Sequence, residues 1–197
     1  MARQRLWRHR TSLFPAFPVS DKASLRETLL ARRAGADPAL GARLTAHVMP
    51  LCPEGVAVAG FWPMGDEIDV RPLLIALHRA GHSILLPETP PPGEALRFRR
   101  WWPGVAMVTE RFGTMRSDAP EGEPGLLLVP LLGFDRQCHR IGYGGGYYDR
   151  TIAAWPGIRT VGCAYALQEV DAVPILPHDA PLDAVATEVG VIWRSRT

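Results

Sequence analysis

The chain of 197 residues is 47% hydrophobic and 21% charged, with a formal net charge of +2. That is enough apolar material for the core of one domain, and too even a charge balance for a disordered polyelectrolyte or a generally basic nucleic-acid binder. Its apolar runs, such as residues 126–132, fall far short of the ~20 residues that a membrane-spanning helix needs. Cys52, Cys138 and Cys163 are odd in number and lack metal-type or redox-type spacing, which points to free thiols in a reducing cytoplasm. Small molecules, rather than nucleic acid or a membrane, are the expected partners, and nothing in the chain requires an oligomer.

The first twenty residues place Arg3, Arg5, Arg8 and Arg10 ahead of Phe14-Pro15-Ala16-Phe17-Pro18. They read as a mobile extension, without the long apolar centre or small-residue cleavage site of a secretory signal. Residues 21–197 read as one domain. A helix begins at Ser20 or Asp21, either of which can cap it, and continues through Leu25, Leu29 and Leu30. Lys22 and Arg26 share one face of it, so their like charges are either solvated or covered by something anionic. Asp37-Pro38 opens a second helix with Leu40, Leu44 and Val48 on one stripe, and Pro50 and Pro53 end it.

Residues 56–61 form a short strand broken by Trp62-Pro63-Met64-Gly65-Asp66-Glu67. Residues 70–80 are helical up to Gly81, and residues 83–86 form a strand stopped by Pro87 and the stiff Pro90-Pro91-Pro92-Gly93 loop. Residues 96–101 and 105–108 read as strands paired with each other, and residues 117–124 as a polar loop. Leu126-Leu127-Leu128-Val129 is the clearest strand, uniformly apolar as in a strand covered on both faces. A helix over 147–154, a strand over 159–164 and one or two strands from 184–187 and 191–193 complete the chain. Strands alternating with helices predict an α/β fold: a single three-layer α/β/α domain with a mostly parallel sheet.

In such a sheet ligands collect in the loops that follow the strands. Gly142-Tyr143-Gly144-Gly145-Gly146 leaves backbone N–H groups uncovered and permits positive φ. A helix beginning just after it adds its own N-terminal N–H groups and dipole. The run 142–150 therefore suits phosphate, with Arg140 and Arg150 supplying charge; a plain tight turn is the competing reading. It is neither a G-x-x-x-x-G-K-[ST] loop nor a dinucleotide fingerprint. His78 and His82 stand four apart but are separated by Gly81, so they read as helix-end histidines rather than metal ligands. Cys138-His139 reads as part of a turn rather than as a nucleophile pair.

Val129-Pro130, Gly133-Phe134-Asp135, Arg140-Ile141-Gly142 and the glycine run ending in Tyr147-Tyr148-Asp149 resemble, in that order, the 5-formyltetrahydrofolate cyclo-ligases, also called 5,10-methenyltetrahydrofolate synthetases. The resemblance extends over residues 22–192. Lys22-x-x-Leu25-Arg26 is similar to that family's basic N-terminal helix, and the segment from Phe61 through Trp62, Met64 and Glu67 to Asp69 looks like its folate segment.

The resemblance implies ATP as co-substrate, bound by Lys22, Arg26, Arg140, Gly142, Tyr143, Gly144, Gly145, Gly146, Tyr147, Tyr148 and Arg150. It implies a reduced folate held by Trp62, Met64, Glu67 and Tyr147, with Glu67, Tyr147 and Arg140 as the catalytic set. Magnesium is implied on Asp149 and, in Pro181-Leu182-Asp183, on Asp183, for which a lone exposed aspartate is the competing reading. The implied reaction activates the poorly electrophilic N5-formyl group by moving the γ-phosphoryl group of ATP onto its oxygen, after which N10 closes the ring. Charge stabilisation and positioning are what such a step requires.

Two departures stand out. Cys138 replaces the family's usual glycine after Phe134-Asp135, and its Gly-Ile-x-Glu-Pro segment appears only as Phe112-Gly113-Thr114-Met115-Arg116. Two other readings compete. One is a sugar-phosphate isomerase or CoA-transferase-like enzyme on a related α/β architecture; the other is a nucleic-acid-binding surface made of the Arg-rich extension and Trp101-Trp102.

Overall fold

The computed structural model describes residues 22–176 and 179–195. The extension expected over residues 1–20 and the capping role of Ser20 or Asp21 lie outside the described residues. Helix α1 (Lys22–Arg33) turns Leu25 and Leu29 inward. Asp37 accepts the Ala39 N–H at 3.0 Å and starts a 3-10 turn over Pro38–Leu40 that runs into α2 (Gly41–Val48). A second such turn, Met49–Leu51, ends the helical path, since Pro50 and Pro53 have no N–H to continue it.

Strand β1 is only Val58–Ala59, shorter than the 56–61 expected. Phe61 leaves the strand to pack among Val70 and Leu73 in the core. Helix α3 (Arg71–Arg79) follows, and Gly81, at φ +92°, turns the chain back. Strand β2 (Ile84–Glu88) runs through Pro87, which was expected to stop it. Leu85 accepts the Gly60 N–H at 2.9 Å on the β1 side; Pro87, two residues on, faces the same way, past the end of β1, where no N–H is called for.

Strand β3 (Arg97–Trp101) pairs antiparallel with β2, Leu85 opposite Arg100, and not with residues 105–108 as expected. That second segment becomes β4 (Met107–Thr109), paired with β5 (Met115–Ser117) in a separate ribbon. Burial decides this: β3 sends Phe98 and Trp101 into the core, whereas β4 has no fully buried residue. The remaining elements are β6 (Leu126–Pro130), a small ribbon of β7 (Gly133–Phe134) and β8 (Arg140–Ile141), α4 (Tyr147–Ala154), β9 (Arg159–Cys163), β10 (Ala184–Thr187) and β11 (Gly190–Trp193).

The main sheet has the order β11-β10-β9-β6-β1-β2-β3. Its interior pairings are parallel and its two edge pairings antiparallel. Along β6, Leu126 and Leu128 pack with α2 and α3 on one face, while Leu127 and Val129 pack on the other with Tyr148, Ile152 and Trp155 in and beside α4. The strand period of two thus feeds two cores and makes the three layers. Helix α1 stands apart from both, closing a third, small core of Leu25, Leu29, Leu132, Ile141 and Val173. Among the described residues no helix is long and apolar enough to cross a membrane.

Candidate active site

The strand order reverses between β1 and β6, the place where an open α/β sheet leaves a crevice beyond its strand ends. A cavity of about 1020 Å³ lies there, reached by Phe61 and Trp62 after β1, Pro87 near the end of β2 and Thr89 just after it, and Pro130 at the end of β6. It also takes in Lys22, Arg26, Met64, Glu67, Arg140, Asp149 and all of the glycine run. Fold topology therefore collects segments that are more than 100 residues apart in sequence.

On one wall, Gly146 sits at φ +67° as the residue before α4, which carries no side-chain cap. The N–H groups of the first helical turn are thus left for an external acceptor. A Cβ at Gly146 would meet only the movable end of Arg150, Nη1 at 2.7 Å, so it is the left-handed conformation rather than space that calls for glycine. Arg26 crosses from α1 and donates through Nε to Gly142 O at 2.8 Å, which settles the shared face of Lys22 and Arg26 as a cavity wall rather than a solvated surface.

Two cations of this wall, Lys22 and Arg140, are matched with carboxylates. Lys22 Nζ donates to Asp179 Oδ2 at 2.5 Å. Arg140 donates through Nη2 to Asp149 Oδ1 at 2.6 Å and through Nη1 to Ala180 O at 2.5 Å, and Ala180 N donates to Asp149 Oδ1 at 3.4 Å. Asp149 and Asp179 both border the cavity. Asp183 does not. Its Oδ2 accepts the N–H and hydroxyl of Thr160 at 2.9 and 3.1 Å, which fixes the start of β9 against the chain entering β10. Asp183, expected at a metal, is thus engaged by Thr160 and is not among the cavity's lining residues, whereas Asp179, four residues earlier, is.

The opposite wall is drier. Glu67 is buried, with Oε2 accepting the Met64 N–H at 2.9 Å and Oε1 accepting the Tyr143 hydroxyl at 3.1 Å. Burial pushes its carboxyl above the ordinary range, while the Met64 N–H, Arg33 and Tyr143 pull it back only in part. Trp62 packs at 6.1 Å from the ring of Trp101 and lies under the Arg71 guanidinium. Trp101 is accordingly interior, which removes it from the Trp101-Trp102 nucleic-acid surface that the sequence allowed. Tyr147 donates to Pro90 O at 3.2 Å, and Arg150, stacked 5.0 Å from its ring, donates to Glu94 O and Gly145 O. These contacts tie the proline loop to the start of α4.

The Phe134-Asp135 motif serves shape rather than chemistry. Asp135 Oδ1 accepts the N–H groups of Gln137 and His139, and Oδ2 accepts those of Val173 and the His139 ring. Cys138 closes this turn at φ +61°, a left-handed conformation that explains why glycine is usual there. Burial pushes the Cys52 and Cys138 thiols up to about 11 and raises Cys163 as well, so none is poised as a nucleophile.

The sequence matches the family model described as the 5-formyltetrahydrofolate cyclo-ligase family over residues 18–188. The chain belongs to this family. It is 35% identical over 139 residues to the 5-formyltetrahydrofolate cyclo-ligase of Escherichia coli K12, covering 66% of this chain and 76% of that protein. The 5-formyltetrahydrofolate cyclo-ligase of Mycolicibacterium smegmatis is 29% identical over 84% of this chain and 93% of its own. Among solved structures, the 5,10-methenyltetrahydrofolate synthetase of Aquifex aeolicus superposes with a TM-score of 0.75 at 26% identity, over 89% of this chain and 94% of that one. The cyclo-ligase activity is that of an ATP-dependent ligase acting on a folate, and the isomerase, transferase and nucleic-acid readings give way to it.

Two residues at or behind this cavity are not marked by any sequence motif. Asp179 lines it, in the same segment as Asp183. Arg33 lies behind it, reaching Glu67 through the Tyr143 hydroxyl, and the signal for it is that it follows Arg26 by seven residues on the same helical stripe, a spacing that marks a common face.

Proposed function

We propose that this chain converts 5-formyltetrahydrofolate and ATP into 5,10-methenyltetrahydrofolate, ADP and phosphate in the cavity at the ends of β1 and β6. The observation that carries this reading is the meeting, in one cavity, of a cationic glycine loop and a buried carboxylate flanked by Trp62 and Met64. The glycine N–H groups, the start of α4, Lys22, Arg26 and Arg140 take the phosphates, with Arg150 at the edge; Glu67 accepts N–H groups of the pterin ring, and Tyr147 faces it from the start of α4.

Magnesium commonly binds through one or two carboxylates together with substrate phosphates. Asp149 and Asp179 both line the cavity, and Asp149 accepts the N–H of Ala180, the neighbour of Asp179, so these residues fit the ion and would hold it. When bound, it supplies neutralisation of the charge on the transferring phosphoryl group.

The chemistry follows from positioning. The formyl oxygen forms a bond to the γ-phosphorus as the bond to ADP breaks. The N10 lone pair then attacks the formyl carbon, the C–O bond to phosphate breaks, and the N10 proton leaves with the departing phosphate. Lys22, Arg26 and Arg140 stabilise charge moving between phosphoryl oxygens, and Glu67 fixes the pterin so that the formyl oxygen faces ATP. Incubating the purified chain with 5-formyltetrahydrofolate, ATP and magnesium tests this: methenyl absorbance should grow only with ATP present, and its absence, or growth without ATP, would overturn the reading. A cytoplasmic setting, where these substrates occur, belongs to the same proposal.

A further inference from the structure

Tyr143 belongs to the glycine run by its backbone, yet its side chain turns away from the phosphate wall. Its ring is half exposed, while its hydroxyl reaches inward to two buried groups. Arg33 Nη2 donates to that hydroxyl at 2.7 Å, and the hydroxyl donates to Glu67 Oε1 at 3.1 Å. Three separate segments meet in this chain of bonds: α1, the glycine run, and the loop after β1.

The chain has a direction. A guanidinium can only donate, so Arg33 occupies a lone pair of the Tyr143 hydroxyl and leaves its single proton for Glu67. With Met64 N–H on Oε2, both carboxylate oxygens are then fixed in orientation while keeping lone pairs to offer. Arg33 itself is only 4% exposed, and its Nε and Nη1 have no hydrogen-bond partner among the described residues. A cation buried at such cost is a poor device for stability alone.

We propose that Tyr143, braced by Arg33, is a positioning residue that holds the Glu67 carboxylate in the orientation that receives the folate. This rests on the reading of Glu67 as the group that holds the pterin. Neither residue touches the reacting atoms; both act through Glu67. The pairing assigns the side chain of Tyr143 to the folate half of the site, although its backbone lies in the nucleotide half.

Tyr143→Phe removes the hydroxyl and keeps the ring, at a position exposed enough that folding is preserved, which a thermal melt confirms. We expect the KM for 5-formyltetrahydrofolate to rise about tenfold, as for loss of a hydrogen bond to a charged group, with the KM for ATP within about twofold of wild type. Arg33→Met should act in the same direction and Arg33→Lys should restore part of the loss. The deciding measurement is a double-mutant cycle: in a Glu67→Gln background, Tyr143→Phe should add less than about twofold. Additive losses, a loss that falls on ATP, or a silent Tyr143→Phe beside a damaging Glu67→Gln would overturn the positioning role alone. A silent Glu67→Gln would instead overturn the reading of Glu67 beneath it.

Discussion

The two walls of the cavity solve opposite problems. The glycine wall is made of backbone and of ion pairs at its edge, Lys22 with Asp179 and Arg140 with Asp149, so two of its cations are already paired and can exchange one partner for another. The facing wall buries a single carboxylate with too little compensation to return it to its ordinary range. A polyphosphate arrives hydrated and multiply charged, and needs many replaceable contacts. A flat heterocycle carries a few N–H groups, and needs one desolvated acceptor in a fixed direction.

If the walls are as separate as this, substitutions on one should leave the other's ligand alone. The largest effects belong to the glycine wall: Lys22→Ala or Asp149→Ala should lower kcat/KM for ATP by about a hundredfold, the scale of losing one charge-stabilising group. A calorimetric Kd for 5-formyltetrahydrofolate without nucleotide should stay within about twofold. A parallel loss in folate affinity would merge the two walls into one.

Glu67→Gln should weaken folate binding by about tenfold or more while ATP affinity holds, and its stability should move the other way. Burial raises the Glu67 carboxyl, so the fold favours the protonated form; that stabilisation is complete below the unfolded-state value and is lost as pH rises through the folded-state value. Glutamine mimics the protonated form. The variant should therefore melt higher than wild type at about pH 8, and the gap should close on acidification below about pH 4.

Asp179 and Asp183 offer a sharper division within one short segment. Asp179→Asn should raise the magnesium concentration needed for half-maximal activity by several-fold, in a titration read by steady-state rate. Asp183→Ala should leave that titration unmoved and cost about 1–3 kcal/mol in urea unfolding, because the Thr160 N–H loses its buried partner. The smallest effect concerns Cys138. Cys138→Gly relieves the positive φ but gives up a buried side chain, so the two nearly cancel, within about 1 kcal/mol. Cys138→Val has no such compensation and should be distinctly less stable, because a β-branched residue fits φ +61° poorly.

Sequence periodicity was sufficient wherever a segment's neighbours matter little to its form. The continuous Leu126-Leu127-Leu128-Val129 run, the Asp37-Pro38 start and the glycine run before α4 all read correctly because caps, φ preferences and two-face burial are local properties. The errors are failures of pairing. Residues 96–101 and 105–108, with Pro103-Gly104 between them, look like a hairpin, but Phe98 and Trp101 find more burial beside β2 than a local partner provides. Pro87 looks like a strand terminator until the shortness of β1 is known. Asp183 and Asp179 cannot be told apart by spacing, since only the position of Thr160 on the neighbouring strand decides which is captured. The basic stripe of α1 was readable for Lys22 and Arg26 and extends to Arg33, whose partner Tyr143 lies 110 residues away.

Helix α1 rests on a satellite core rather than on the main sheet: Leu25 and Leu29 meet Leu132, Ile141 and Val173 and little else that is fully buried. Such a unit opens more easily than the sheet does, and opens as a whole. In native-state hydrogen exchange, the amides of α1 and of β8 should therefore share one rate, faster than those of β6. Occupancy of the glycine loop beside Arg26 should slow both together. One edge of the phosphate wall thus leans on a unit with a smaller core than the sheet, so nucleotide affinity and the local opening equilibrium of α1 should be linked.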